Sequence, residues 1–167
     1  MTKYFKKNKT RGFMTVEILV SAYILTLVIL ATLNIAQRST YISRHTFYTA
    51  QGVFLAEEGA EAIRIMRDNN WTNISSKSNG VPYYFQFSGG TWVLTTNQAY
   101  ESINGVKRKV IFHGVSRNGS TRDIDTGSNC SSGCDAGTRR VNINANWTEN
   151  GQYYDKLIEF YVMDIWP

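Results

Sequence analysis

The stretch Arg11-Gly12-Phe13-Met14-Thr15-Val16-Glu17 decides the fold, because a basic leader changes there into an apolar helix. The leader, residues 1–12, carries five cations and no acid, whereas the 24 residues of 13–36 carry Glu17 as their only formal charge. A helix of about 20 apolar residues crosses a bilayer. Basic flanks resist translocation, so we expect the leader on the cytoplasmic side and residues 37–167 outside.

The same stretch resembles the class III signal of type IV pilins and pilin-like proteins. The resemblance rests on Gly12 followed by Phe13, on Glu17 four residues later and on the unbroken apolar run, and it covers residues 7–36 closely. It implies cleavage between Gly12 and Phe13 by a prepilin peptidase and N-methylation of the new N-terminus at Phe13. An ordinary signal peptide is cut after its apolar stretch, at a small-residue site, and residues 34–37 match such a site poorly.

Glu17 has two interpretations at this stage. An acid inside a membrane segment costs on the order of 2–3 kcal/mol and is a functional hypothesis by default. In one interpretation Glu17 pairs with the Phe13 ammonium of a neighbouring subunit and sets the register of helix packing, because opposite charges in an apolar core attract strongly only at close range. In the other, Glu17 reaches the cytoplasmic headgroups from the first helical turn, where the helix dipole favours an acid. Neither interpretation makes it a catalytic acid.

Most of the net charge belongs to the leader. The chain has 18 basic and 13 acidic side chains, so removing the five leader cations leaves 13 of each. The basic pI of about 9.2 is therefore weak evidence for nucleic-acid binding, and we infer no direct nucleic-acid contact. With two histidines, no Gly-rich phosphate loop and no nucleophile elbow, the sequence predicts no enzyme.

Residues 37–67 continue the helix with an amphipathic pattern. Apolar residues at helical spacing are expected to face the head, namely Phe47, Phe54, Leu55, Ala62, Ile65 and Met66. The small residues Gly52, Ala56, Gly59 and Ala60 either let a second helix approach closely or make room for a covering sheet. Asp68-Asn69-Asn70 is expected to end this helix.

Residues 68–167 predict an extracytoplasmic antiparallel β-sheet head. Strands are predicted over 81–88, 91–96, 100–103, 106–115, 140–147 and 154–165, with Gly89-Gly90 and Asn104-Gly105 as hairpin turns. A period of two places one set of side chains inward, which comprises Val141, Ile143, Ala145, Trp147, Ile158, Phe160 and Val162. Covering this face with the second half of the helix gives an α+β fold, the layout of pilin heads.

The loop over residues 118–138 contains both cysteines. On the oxidising side of a membrane, Cys130 and Cys134 are expected to form a disulfide, because a zinc site would need further ligands nearby. Asp123 and Asp125 are weak candidates for calcium, since carboxylate oxygens are its usual ligands, and a solvated turn is the alternative. No other cofactor is expected.

Three functions are compatible with these observations. The resemblance favours a structural subunit, of the minor-pilin type, inserted as a prepilin in the plasma (inner) membrane, cleaved after Gly12 and assembled into an extracellular filament through its N-terminal helix. The acidic, Gly-containing stretch 55–64 is similar to that of some minor pilins. The implied partners are other pilin subunits, the prepilin peptidase, the inner-membrane assembly platform and the membrane itself.

The other two functions differ in what the helix does. A pseudopilin of a secretion or DNA-uptake system would use the same assembly chemistry in a periplasmic pseudopilus. A signal-anchored binding or cell-adhesion domain would never polymerise, and would use exposed aromatics for ligand stacking; the candidates are Tyr83, Trp92, Tyr100 and Tyr153.

Overall fold

The computed structural model describes residues 11–100, 102–125, 130 and 133–165, with residues 11–13 described as helical backbone only. Its elements in chain order are α1 (Arg11–Asn69), α2 (Thr72–Ser75), β1 (Pro82–Ser88), β2 (Thr91–Thr95), a 3-10 turn (Gln98–Tyr100), β3 (Ser102–Ile103), β4 (Val106–Gly114), β5 (Thr138–Glu149) and β6 (Gln152–Met163). One long N-terminal helix and an antiparallel six-stranded sheet confirm the predicted α+β class. The chain forms two compact units, residues 1–45 and 46–167.

The described part of the first unit is helical, because nothing in its sequence interrupts a helix. No proline or glycine occurs between residues 14 and 45, and most positions are leucine, alanine or β-branched residues. Leucine and alanine are good helix formers, and the β-branched residues lower helix propensity only slightly. The helix begins at Arg11, so Gly12 and Phe13 lie within its first turn.

The second unit contains the sheet, whose strands follow the order β2-β1-β4-β5-β6, with β3 paired to the start of β4. Every pairing between these strands is antiparallel, and β5 and β6 are paired over their whole length, from Thr138 opposite Met163 to Glu149 opposite Gln152. β1 pairs with β4 through its first two residues and with β2 through the rest. The three strands β4, β5 and β6 therefore form the continuous part of the sheet.

Two hairpin turns determine this register. Asn104-Gly105 joins β3 to β4 with φ angles of 50° and 86°, and Asn150-Gly151 joins β5 to β6 with φ angles of 50° and 80°. Left-handed values at both central positions are typical of type I′ turns, whose twist matches that of paired strands, and the Asn-Gly dipeptide tolerates them best. The predicted hairpins at Asn104-Gly105 and Gly89-Gly90 are confirmed.

Several strand ends differ from the predictions. β5 continues to Glu149 and β6 begins at Gln152, because the two-residue turn lets the ladder continue to the residues next to it. At the other end β5 begins at Thr138, and β6 ends opposite it at Met163, two residues before the predicted end. The strand predicted over 100–103 is shortened to Ser102–Ile103, since Tyr100 belongs to the 3-10 turn. The inward faces are confirmed: Val141, Ile143, Ala145, Trp147 and Val162 are buried, and Ile158 and Phe160 are half-buried.

The second half of α1 packs on this sheet through its smallest residues. A Cβ atom added to Gly52 would lie 2.7 Å from the Trp147 ring, and one added to Gly59 would lie 3.2 Å from Phe85. Both glycines are buried, as are Ala56 and Ala60. The small residues therefore make room for the sheet, which is the second of the two roles considered above.

The predicted inward face of α1 is correct only in part. Leu55, Ala62 and Met66 are buried, whereas Phe47, Phe54 and Ile65 are 63%, 69% and 47% exposed and lie outside the core. The bulky rings of Phe85 and Trp147 decide this difference, because they fit against glycine and alanine but leave no room for phenylalanine. The helix end is confirmed, since α1 stops at Asn69.

Candidate functional site: an apolar helix bearing Glu17

The first unit presents a continuous apolar surface. Side chains from Met14 to Ile35 are largely exposed, and none of the most apolar 18-residue window is buried in the described structure. Soluble proteins rarely expose contiguous apolar patches larger than a few hundred Å². By length and composition this helix is a candidate membrane span, consistent with a single-pass membrane protein.

Four polar side chains on this surface bond to the helix itself. Ser21 donates to the carbonyl oxygen of Glu17 at 2.8 Å, and Thr26 donates to that of Ala22 at 2.7 Å. Thr32 and Asn34 bond in the same way to carbonyls three or four residues earlier. A hydroxyl or amide that is satisfied within its own helix needs no water, so these residues are compatible with an apolar environment.

Glu17 is the only charged residue between positions 12 and 37, and its side chain is exposed. It lies in the second turn of α1, not in the first as expected, because the helix already begins at Arg11. The helix dipole therefore favours its charge less than the headgroup interpretation assumed, since the effect falls off within the first turn. The side chain of Phe13, and residues 1–10 of the predicted leader, lie outside the described residues.

An ion pair between a buried arginine and an exposed glutamate joins the helix to the sheet in the second unit, and it was not predicted from the sequence. Arg108 is 2% exposed, and its guanidinium donates to the Leu55 carbonyl at 2.8 Å and to the Glu58 carboxylate at 2.6 Å. The same group lies 4.5 Å from the centre of the Phe85 ring. Burial lowers the pKa of Arg108, while the hydrogen bond and charge of Glu58 oppose this shift. The sequence does contain an indication of this ion pair. Arg108 is a cation at an inward position of an alternating strand, between the inward residues Val106 and Val110.

The cysteine loop is attached to the end of β4. A disulfide joins Cys130 and Cys134, whose Cα atoms are 5.6 Å apart. A Cβ atom on Gly114 would lie 2.7 Å from the Cys134 sulfur, so this position accepts only glycine without movement. The backbone N–H of Cys130 donates to the Gly114 carbonyl at 3.3 Å, which extends the strand pairing into the loop.

Arg117 organises the rest of the loop. Its guanidinium forms an ion pair with Asp135 and donates to Thr138 and to the Arg122 carbonyl, both at 2.9 Å. The hydrogen bonds from Arg117 and Thr138 lower the pKa of Asp135, although partial burial opposes this shift. Asp135 follows the Asp-rich segment in sequence, but its carboxylate is already used by these partners.

Asp123 and Asp125, the weak calcium candidates, lie in an exposed turn beside Arg117. The Asp123 carbonyl accepts from Asn118 at 2.9 Å, and the Asp125 N–H donates to the Ser116 carbonyl at 3.0 Å. Among the residues that the structure describes, no group of three or more His, Cys, Asp or Glu is placed to hold a metal ion. Residues 126–129 of this segment lie outside the described residues, and calcium binding stays a hypothesis.

The aromatic candidates for ligand stacking do not share one environment. Tyr83 is buried and packs edge-on against Phe112, with ring centres 6.0 Å apart, so its expected exposure is wrong. Trp92 is half-buried beside Phe87, whereas Tyr100 and Tyr153 are exposed. The core of this small sheet needs large rings, which explains Tyr83 and part of Trp92.

Comparisons of the chain with protein-family models, with curated proteins and with solved structures found no match.

Proposed function

We propose that this chain is a structural subunit, of the minor-pilin type, of a type IV pilus-like filament. In this proposal it enters the membrane as a prepilin, is cleaved after Gly12 and assembles through its N-terminal helix. The main support is the surface of residues 14–36, which is apolar, bonds four of its polar side chains to its own backbone and carries a single charge at Glu17. The role is structural and requires no catalytic residue.

The chemistry of this surface suits two environments that both lack water. A helix whose hydroxyl and amide groups bond to its own backbone can leave the bilayer and pack among similar helices without exposing an unsatisfied group. Glu17 is the exception, because a carboxylate in an apolar core is costly unless a cation pairs with it. The ammonium of a neighbouring Phe13 would be such a cation, so correct assembly would be favoured over random helix packing.

Processing is tested by intact-mass measurement on the full chain. In cells with an active prepilin peptidase, the purified protein should begin at Phe13 and carry one added methyl group. In matched cells with an inactive peptidase it should keep residues 1–12. If cells with the active enzyme contain only chains that begin at Met1, the prepilin assignment is wrong.

Assembly is tested by comparing Glu17→Gln with Glu57→Gln, a control at an exposed position of the same helix. Glu17→Gln removes a charge from the apolar segment, so membrane levels should equal or exceed those of the wild type. Its incorporation into sheared filaments should fall, whereas Glu57→Gln should be incorporated normally. Normal incorporation of Glu17→Gln would contradict the pairing role and favour the non-polymerising anchored domain.

A further inference from the structure

We propose that Arg38, Tyr41 and His45 form a binding site for the phosphate groups of phospholipids at the outer surface of the membrane. We call these three residues the phosphate ledge. The inference rests on the proposed insertion of the apolar helix. It adds a lipid ligand and marks where the membrane-spanning part of that helix ends on the outer side. Its functional consequence is a fixed depth for the subunit before assembly.

The spacing of charges along α1 places the ledge at this boundary. The 20 residues from 18 to 37 contain no charged side chain, and Arg38 is the first cation after Glu17. At 1.5 Å per residue, Glu17 and Arg38 are separated by about 32 Å along the helix axis. The hydrocarbon core of a bilayer is about 30 Å thick, so both charges reach headgroups when the uncharged segment spans it.

The three side chains of the ledge lie on one side of the helix. Residues three and four apart are neighbours on a helix, which brings Arg38 next to Tyr41 and Tyr41 next to His45. The rings of Tyr41 and His45 are stacked, with centres 6.2 Å apart and planes 7° from parallel. Arg38 is exposed, and Tyr41 is 43% exposed.

The chemistry of these residues selects a phosphate at a lipid surface over other occupants. A guanidinium binds phosphate oxygens through paired N–H donors and extends its aliphatic stem along apolar surface. Tyrosine is enriched where the apolar core meets the headgroups, because its ring is apolar and its hydroxyl is polar. Below Arg38 the surface is apolar, as acyl chains require, and at Arg38 it becomes cationic, as phosphates require.

The experiment is native mass spectrometry of the full chain, released from detergent after titration with phosphatidylglycerol. Wild-type protein should retain bound lipid, and Arg38→Gln should show an apparent affinity lower by about tenfold, as expected for losing one charge-assisted interaction. The control is Lys156→Gln, which removes the same charge at an exposed position of β6, far from the ledge in sequence. The control should bind lipid as the wild type does.

Equal lipid binding by Arg38→Gln and the wild type would overturn the inference. Equal losses in both variants would also overturn it, because they would indicate non-specific charge attraction. A second arm adds excess inorganic phosphate: retention of the lipid supports a lipid site, whereas its displacement would indicate a free-anion site and contradict the proposal. Carbonate extraction of wild-type membranes tests insertion separately. Extraction of the wild-type chain would refute the proposed membrane insertion, whereas a failure confined to the Arg38→Gln comparison refutes only the phosphate ledge.

Discussion

Replacing Gly52 and Gly59 by alanine, one at a time, tests how α1 packs on the sheet. Each change adds the same methyl group and gains about 1 kcal/mol of helix propensity. At position 52 the new Cβ would lie 2.7 Å from the Trp147 ring, well inside the usual carbon–carbon contact of about 3.5–4.0 Å. At position 59 the nearest atom, on the Phe85 ring, lies 3.2 Å away, so a shift of a few tenths of an ångström relieves the contact.

The environment of Trp147 limits how far its ring can move. The side chain is 3% exposed and stacks on Tyr154, with ring centres 5.8 Å apart. Overpacking of a core typically costs about 1–3 kcal/mol, and a ring held on both sides belongs to the upper part of that range. We therefore expect Gly52→Ala to lower the free energy of unfolding by about 1–2 kcal/mol and Gly59→Ala to be close to neutral.

Urea unfolding of the full chain in detergent micelles, followed by tryptophan fluorescence, measures both variants against the wild type. A shift in midpoint at a constant slope reports a change in stability. Since the gain in helix propensity is common to both variants, their difference isolates the contact with Trp147. If Gly52→Ala is as stable as Gly59→Ala, or if both exceed the wild type, the close approach of helix and sheet at Trp147 is wrong.

Three further predictions concern the head. Arg108→Ala removes a buried hydrogen bond to Leu55 and leaves a cavity, so urea unfolding should show a free energy of unfolding lower by about 2–4 kcal/mol. An unchanged midpoint would contradict the proposed role of Arg108 in joining the helix to the sheet. The hydrogen bond from Arg117 lowers the pKa of Asp135. The stabilisation that the ionised Asp135 gives to the folded state is therefore complete above the ordinary aspartate pKa of about 3.9, and it is lost as the pH falls through the lowered value. Asp135→Asn should therefore be less stable than the wild type at neutral pH and approach it in acid, and parallel stability–pH curves would refute this. Cys130 and Cys134 should resist alkylation in folded, exported protein until reduced, whereas free labelling without reductant would rule out the disulfide; losing this short bridge should cost about 2 kcal/mol or less.

Much of the head was predictable because the relevant signals are local. Asn104-Gly105 specifies a tight turn through the backbone angles that these two residues tolerate, wherever the strands lie. The alternation from Val141 to Trp147 specifies a buried face through the period of a strand. Cys130 and Cys134 are the only two cysteines and lie four residues apart, so they can pair without any distant segment. Each of these features depends on residues within a few positions of one another.

The features that escaped prediction depend on residues far apart in the sequence. Arg108 breaks the apolar alternation of β4, and its meaning depends on Glu58, which lies 50 residues earlier. The exposure of Phe47 and Phe54 could not be predicted from helical spacing, because apolar residues in this part of α1 occur on more than one side of the helix. Only the shape of the opposing sheet, with large rings over Gly52 and Gly59, selects the side that is buried.

The sequence by itself determined the apolar helix, its single acid and its uncharged length, since charge and hydrophobicity belong to the residues and need no partner. It also determined the hairpin turns and the alternation of the strands, which follow from backbone preferences over a few residues. The tertiary structure alone decided which side of α1 meets the sheet, which cation is buried and how the cysteine loop joins β4. These outcomes depend on packing and on hydrogen bonds between distant segments, and such contacts exist only once the chain has folded.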